Sequence, residues 1–341
     1  MQKGKASIAF KHPPIIQEVS SIVGKKEGAG PLAGCFDQIV EDPMFGQESW
    51  EAAESELQRQ AAFCCLRKAK LKTEEVRYLF AGDLLGQLVA TSFGVQDLGI
   101  PLFGLYGACS TMGEALLLGA MTVDGGYADR VLAMASSHFA SAERQFRFPL
   151  AYGNQRPKST TWTVTGCGAA LLAGEGTRTE NGAYASVTGA TAGKIVDMKA
   201  RDSMNMGAAM AVAAVDTILQ SFRDFQVDER NYDRIITGDL GEVGQRILLD
   251  FMEEAGHDLR GIHMDCGREI YDSSTQDTHS GGSGCGCAAV TLCGMILPRL
   301  RSREWKRVLF VPTGALLSQI SFNEGQNITG IAHGVVLEGR S

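Results

Sequence analysis

Apolar residues recur at helical spacing through the glutamate-, glutamine- and alanine-rich stretch 50–70, with Leu57, Ala61, Cys64, Cys65 and Leu66 on the apolar positions, and this spacing predicts a helix. An unbroken apolar run at 76–81 predicts a buried strand, followed by a weaker helical pattern from residue 87 and a strand at 100–106 that ends in glycine. The stretch 110–123 is almost all Ala, Leu, Gly and Met, and a helix apolar on every side is a buried one. Core strands are predicted at 130–135, 161–172 and 185–190. The order then repeats: helix 206–225, strand 234–237, helix 244–255, buried helix 286–297, strand 307–311 and a final strand near 331–337. In residues 1–47, Pro13, Pro14, Gly24, Gly28, Gly30 and Pro31 mark turns around short strands near residue 15 and at 33–40. Strands alternating with helices predict an α/β protein with mixed sheets. Two buried helices held between two such sheets make a five-layer stack.

The second half is a faint copy of the first. LRKAKLKTEEVRYLFAGDL at 66–84 aligns without a gap on FRDFQVDERNYDRIITGDL at 222–240, matching Arg67 with Arg223 and Gly82-Asp83-Leu84 with Gly238-Asp239-Leu240. The small-residue helix opening at Cys109 is followed by RVLAMASSH from Arg130, and its counterpart at 284–296 by RVLFVPTGA from Arg307. Solenoid units run to about 20–50 residues, so a repeat this long is a duplicated domain. It divides the chain into halves 1–175 and 176–341, with a pseudo-twofold centre where the buried helices meet.

Composition narrows the function. A chain of 341 residues, 44% of them hydrophobic, supports a large core and about two domains. The net charge of −7, with no block of Lys or Arg, speaks against nucleic acid as a partner. Nine cysteines, with Cys64 and Cys65 adjacent in a helical pattern, suit reduced core thiols better than a disulfide framework. MQKGKASIAF lacks the apolar core of a secretory signal. A membrane span needs about 20 apolar residues. The most apolar stretch, 108–123, is glycine-rich and interrupted by Glu114, so any membrane link is expected through a partner or a surface contact.

Cys109 falls at the start of a buried helix, where unpaired N–H groups and the macrodipole supply about half a positive charge. Such a place lowers a thiol's pKa and offers donors to an anion. A nucleophile and a carboxylate pocket are both open readings, as is the plain need for a small residue at a tight turn. Cys285 and Cys287, with His279 six residues before the first, have no second paired motif, and no metal is expected. The glycine-rich run 28–34 leads into no clear helix and fails as a nucleotide loop, and a Walker motif is absent.

A duplicated α/β half with YGACSTMGEAL, a cysteine opening a buried helix after strand-Gly-Ala, resembles the thiolase and ketoacyl-synthase superfamily. Within it, SSHFASAERQFRFPL, DMKARDSMNMGAAMAVAA and THSGGSGCGCAA resemble the stage V sporulation protein AD family of spore-forming bacteria, over nearly the whole chain. The resemblance implies a thiolase-like five-layer αβαβα fold with two mixed sheets and buried central helices, and a homodimer. It implies a non-catalytic protein that binds dipicolinic acid (pyridine-2,6-dicarboxylate) and supports its uptake into the developing spore with membrane proteins of the same operon. The place implied is the cytoplasmic side, peripheral to the inner membrane of the forespore or spore. No cofactor is implied beyond calcium carried as the ligand's chelate.

Active members of the superfamily use a Cys nucleophile with two His, or with a His and an Asn. By motif position Cys109 takes the nucleophile's place, and Gly238 or Asp239 stands where a His is expected. Gly281 fits best where Asn or His is expected, with His279 close by. A condensing reaction needs donors for the thioester oxygen and a base, and on this alignment the set is incomplete.

A flat dianion needs donors on two sides. Ser136, Ser137, His138, Arg144 and Arg147 follow a core strand, alongside Phe139, Phe146 and Phe148. Arginine forks suit carboxylates, and a ring stacks on pyridine. Taken singly, each arginine is equally a solvated loop residue or a dimer contact. His279, Ser280, Ser283 and the glycines of HSGGSGCG make the counterpart loop, where backbone N–H groups approach a ligand as in an anion nest. His333 is a third candidate, against a core place in an apolar strand. The candidate ligand-binding set is Cys109, Ser137, His138, Arg144, Arg147, His279, Ser283 and His333. An acyl-transfer enzyme using Cys109 with His279 or His333 as base, and a structural partner of a membrane complex, are the alternatives.

Overall fold

The computed structural model describes residues 1–146, 155–180 and 182–340. Its strands run through one order twice. From one edge come Leu102–Gly104, Tyr78–Gly82, Arg130–Ser137, Gly166–Ala173 and Ile15–Gly24; from the other come His263–Asp265, Arg234–Thr237, Arg307–Val311, Gly334–Glu338 and Ala185–Thr191. In each series the first three are parallel and the next is antiparallel to the third. The series meet where Ala185 pairs with Ile16 and Ser186 with Ile15. This short ladder joins the two mixed sheets into one hydrogen-bonded sheet of thirteen strands.

The side chains of a strand alternate between faces, and a strand buried on both reads as an unbroken apolar run. Leu132 and Met134 face the outer helix Trp50–Ala69 with Leu79, Ala81, Ala169 and Leu171, whereas Val131, Ala133 and Ala135 face inward. In the second half Ile235, Leu309 and Val311 pack under the outer helices Met206–Phe225 and Gly241–Glu254, while Ile236, Val308 and Phe310 face inward. Between the two inner faces lie Thr111–Asp124 and Cys285–Thr291, the latter running on through a wider turn, Leu292–Ile296, into Leu297–Arg301. The layers are helix, sheet, helices, sheet, helix.

Small residues set the spacing at the centre. A Cβ at Gly168 would lie 2.4 Å from the carbonyl oxygen of Ala289, and one at Gly286 would lie 2.4 Å from that of Gly166. The second central helix therefore rests its backbone directly on the first half's sheet.

Two elements differ from the sequence expectation. The short strand near residue 15 is the ten-residue strand Ile15–Gly24, buried throughout, with its polar members satisfied from outside the ladder. Ser20 Oγ donates to Ala61 O at 2.7 Å, and Tyr184 donates its hydroxyl to Glu18 Oε1 at 3.1 Å. The final strand is two, Ile328–Ala332 and Gly334–Glu338, broken at His333. The first of these belongs to a separate three-stranded sheet with Thr313–Leu316 and Val196–Ala200. No helix among the described residues is long and apolar enough to cross a membrane.

Candidate functional site

A single helical turn, Ala108–Ser110, leads into the first central helix. Ala108 is held at φ +49°, a left-handed conformation that an L-residue with a Cβ adopts only when its surroundings impose it. Ser110 Oγ donates to Gly107 O at 2.7 Å, Thr111 Oγ1 to Ala108 O at 2.6 Å, and Cys285 Sγ to the same Ala108 oxygen at 3.0 Å. The turn thereby presents Cys109 to a pocket walled by Leu84, Thr161, Thr163, Asp239, Ser283 and Gly284.

The repeated Gly-Asp-Leu places an aspartate beside that thiol. A Cβ at Gly238 would come within 3.1 Å of both Pro312 Cα and Thr313 N, so glycine lets the chain turn inward there. Asp239 then accepts from Gly284 N at 2.9 Å on Oδ2 and from Thr313 Oγ1 at 2.8 Å on Oδ1, and it shares a hydrogen bond with the Cys109 thiol. Burial pushes its carboxyl up to about 7, against the lowering effects of Cys109, Gly284 and Thr313.

Burial pushes the Cys109 thiol well above its ordinary range, and the charge of Asp239 and the neighbouring Cys285 push it further; the Gly284 N–H pulls the other way. The sequence expectation of a lowered thiol pKa is thus reversed. Desolvation and an adjacent carboxylate outweigh the partial positive charge of a helix start.

Glu143 accepts from Thr163 N at 3.3 Å and from Thr163 Oγ1 at 2.8 Å, and adds a second carboxyl to the wall. Met206 and Met210 close the apolar side. The free space beside Cys109 is about 30 Å³, close to the volume of one water. No Lys, Arg or His is among the residues lining it. The pocket shares Leu84 with a wider outer cleft of about 620 Å³, bounded by Gln87, Tyr106, Gln145, Ser318, Gln319 and Ser321.

Of the residues singled out from the sequence, the structure brings Cys109 and Ser283 together in this pocket and places the others elsewhere. Ser137 is tied into the core, donating to Val164 O at 2.7 Å and accepting from Gly286 N at 3.0 Å. His138 is turned into the outer layer, where Nε2 donates to Pro43 O at 2.7 Å and the ring packs against Trp50 and Phe45; burial lowers its pKa. Arg144 pairs with Glu51 on the surface. Arg147 lies outside the described residues. His279 donates from Nδ1 to Pro157 O at 2.9 Å and faces Asp277. His333 accepts from Gly193 N at 3.2 Å, and burial lowers it to about 4.

Sequence reasoning passed over Asp239 and Glu143 as site residues. For Asp239 the signal was present, because the repeat sets it at the end of a core strand equivalent to the one before Cys109. Glu143 had none: a lone glutamate in an eight-residue amphipathic helix reads as a solvated residue.

The fold and the sequence have clear relatives. Human mitochondrial 3-ketoacyl-CoA thiolase superposes with a TM-score of 0.58 at 11% identity, covering 98% of this chain and 100% of that one. The 3-oxoacyl-[acyl-carrier-protein] synthase III of Aquifex aeolicus gives 0.54 at 14%, covering 95% and 99%. These likenesses show a thiolase-like fold. Stage V sporulation protein AD of Bacillus subtilis (strain 168) is 42% identical over 335 residues, 98% of this chain and 97% of that protein. The family model described as stage V sporulation protein AD matches residues 4–338. The chain, a sporulation protein on a thiolase-like fold, therefore belongs to the stage V sporulation protein AD family.

Proposed function

We propose that this chain is a non-catalytic binding protein for dipicolinic acid that supports its uptake into the developing spore together with membrane proteins of the same operon. The contact between Cys109 and Asp239 carries the non-catalytic part of the reading. A thiol that keeps its proton is a poor nucleophile, and acyl transfer requires an adjacent base to take that proton. Family membership supports the setting in the spore.

On this reading the ligand sits in the outer cleft. A pyridine dicarboxylate is too large for about 30 Å³ and would face Asp239 and Glu143. The cleft of about 620 Å³ offers the ring of Tyr106, 43% exposed, for stacking, and amide and hydroxyl donors from Gln87, Gln145, Gln319, Ser318 and Ser321. Calcium carried with the ligand would offset its charge where the wall is neutral. The protein would act as a homodimer on the cytoplasmic side, peripheral to the spore inner membrane.

The test is a calorimetric titration with dipicolinate, with pyridine-2-carboxylate as control, on the wild type, Tyr106→Ala and Cys109→Ser. Saturable binding is expected, weaker by about tenfold for the control and for Tyr106→Ala, and unchanged in Cys109→Ser. Absence of heat at millimolar dipicolinate would sink the reading. Acylation of Cys109 by a short acyl-CoA would replace it with the enzyme.

A further inference from the structure

The strand Trp162–Thr163 pairs with Gly282–Ser283, and Thr161 and Thr163 line the Cys109 pocket. Alternation puts Trp162 on the other side of the same strand. Phe139 stacks on the indole with ring centres 4.0 Å apart. Lys26 Nζ lies 4.2 Å and Arg156 Cζ 4.9 Å from the ring centre. Here, back to back with the pocket, cationic side chains gather on an aromatic surface.

Arg156 is unusual among them. Its side chain is 5% exposed, and Nη2 donates to Asp277 Oδ2 at 2.8 Å and to Asp277 O at 3.1 Å. Its Nε and Nη1 have no acceptor among the described residues. Stacking on a ring offsets the charge of a guanidinium but leaves its in-plane N–H groups unmet, and buried donors are ordinarily satisfied. Asp277 is 75% exposed and also faces His279 Nε2 at 3.2 Å. It acts on Lys26 as well, whose ammonium is otherwise lowered by burial. Asp277 and His279 both hold left-handed backbone, at φ +52° and +53°. One solvent-facing carboxylate thus serves three basic side chains.

The remaining carboxyls nearby are engaged elsewhere. Glu27, next to Lys26 in sequence, accepts from Tyr271 and from Thr165 N at 3.0 Å. Glu143 is engaged by Thr163. Lys26 and Arg156 together therefore exceed the single charge of Asp277.

We propose that Arg156, Lys26 and His279 form an oxyanion seat against Trp162, in which the Asp277 carboxylate holds the place of a small molecule's carboxylate or phosphate group. The incoming oxyanion displaces the exposed Asp277 side chain and supplies acceptors for the donors that Asp277 leaves unmet. The seat is separate from the outer cleft and does not rest on the dipicolinate reading.

The test titrates the full-length protein with inorganic phosphate and, in a second arm, with acetate, by calorimetry and by tryptophan fluorescence, with Trp162→Phe to establish the origin of the optical signal. Asp277→Asn, which removes the internal competitor, is expected to tighten binding about tenfold, and Arg156→Gln to weaken it about tenfold or more. Tighter binding in the phosphate arm assigns the seat to phosphate compounds; the reverse order assigns it to carboxylates. Lys26→Gln repeats the test if Arg156→Gln fails to fold, with weakening of at least about threefold expected. The proposal is overturned if Asp277→Asn binds neither anion saturably, or if loss of the Arg156 or Lys26 charge leaves affinity unchanged.

Discussion

Asp83 and Asp239 occupy the same position in the two copies of the repeat, yet only Asp239 bonds the thiol of Cys109. Asp83 instead accepts from Leu85 N, Thr91 N and Thr91 Oγ1, all at 2.5–2.7 Å. Gln58 then links Thr91 to Ser136, and Ser136 donates to Glu54. One copy of the turn builds a pocket and the other a buried polar network.

The thiol is the first quantity to measure. Alkylation of Cys109 by iodoacetamide, followed by peptide mass spectrometry to separate it from exposed Cys35, is expected to be slow at pH 7 and to rise only in alkali. Asp239→Asn removes the charge that holds the proton on sulfur and should speed alkylation by about tenfold. Fast labelling of the wild type at neutral pH would contradict the assignment.

Stability should fall as pH rises above 6.5. Burial, with help from Asp83, pushes Glu54 up to about 8, and burial pushes Asp239 up to about 7. These groups bind protons more tightly folded than unfolded, so the folded chain holds more protons and loses stability as they titrate. Burial lowers His138, His263 and His333, which gives the opposite slope, but that contribution is complete above the unfolded histidine value of about 6.5. Between pH 6.5 and 8.5 the carboxyls alone act. The melting temperature should drop across that window, and Glu54→Gln should flatten the drop; a rise would overturn the account.

His138→Phe separates a core histidine from a pocket one. Loss of the bond to Pro43 O, buried beside Trp50, is expected to cost about 1–3 kcal/mol in chemical denaturation. Dipicolinate affinity should not change. A selective loss of affinity at full stability would return His138 to the binding set.

Gly168→Ala tests the backbone contact at the centre. The added methyl meets the carbonyl of Ala289 at 2.4 Å, and overpacking of this kind costs about 1–3 kcal/mol or more. A variant as stable as the wild type would show that the second central helix has room to move.

Much of the fold was legible because periodicity reports burial. Met206–Phe225, Arg234–Thr237 and Arg307–Val311 fall where their patterns place them. Ile15–Gly24 was obscured because the proline pair and glycine that bound it read as turns through it. The site was harder. Ser136 and Ser137 are adjacent on one strand, yet the pleat sends one to Glu54 and the other to the central helix. His138 follows them and is drawn outward by Trp50 and Pro43, partners 88 and 95 residues away in sequence. Polar identity alone does not say which layer a strand end faces.

The pairing of Trp162–Thr163 with Gly282–Ser283, and the seating of Cys285–Thr291 on the sheet that contains Gly168, make each half the lining of the other. Neither copy can be excised, because a lone half would bare an apolar face that its twin now covers. The duplication is in that sense irreversible. Having been locked into one shape, the copies kept liberty only at their turns, where a shared Gly-Asp-Leu took up two different duties.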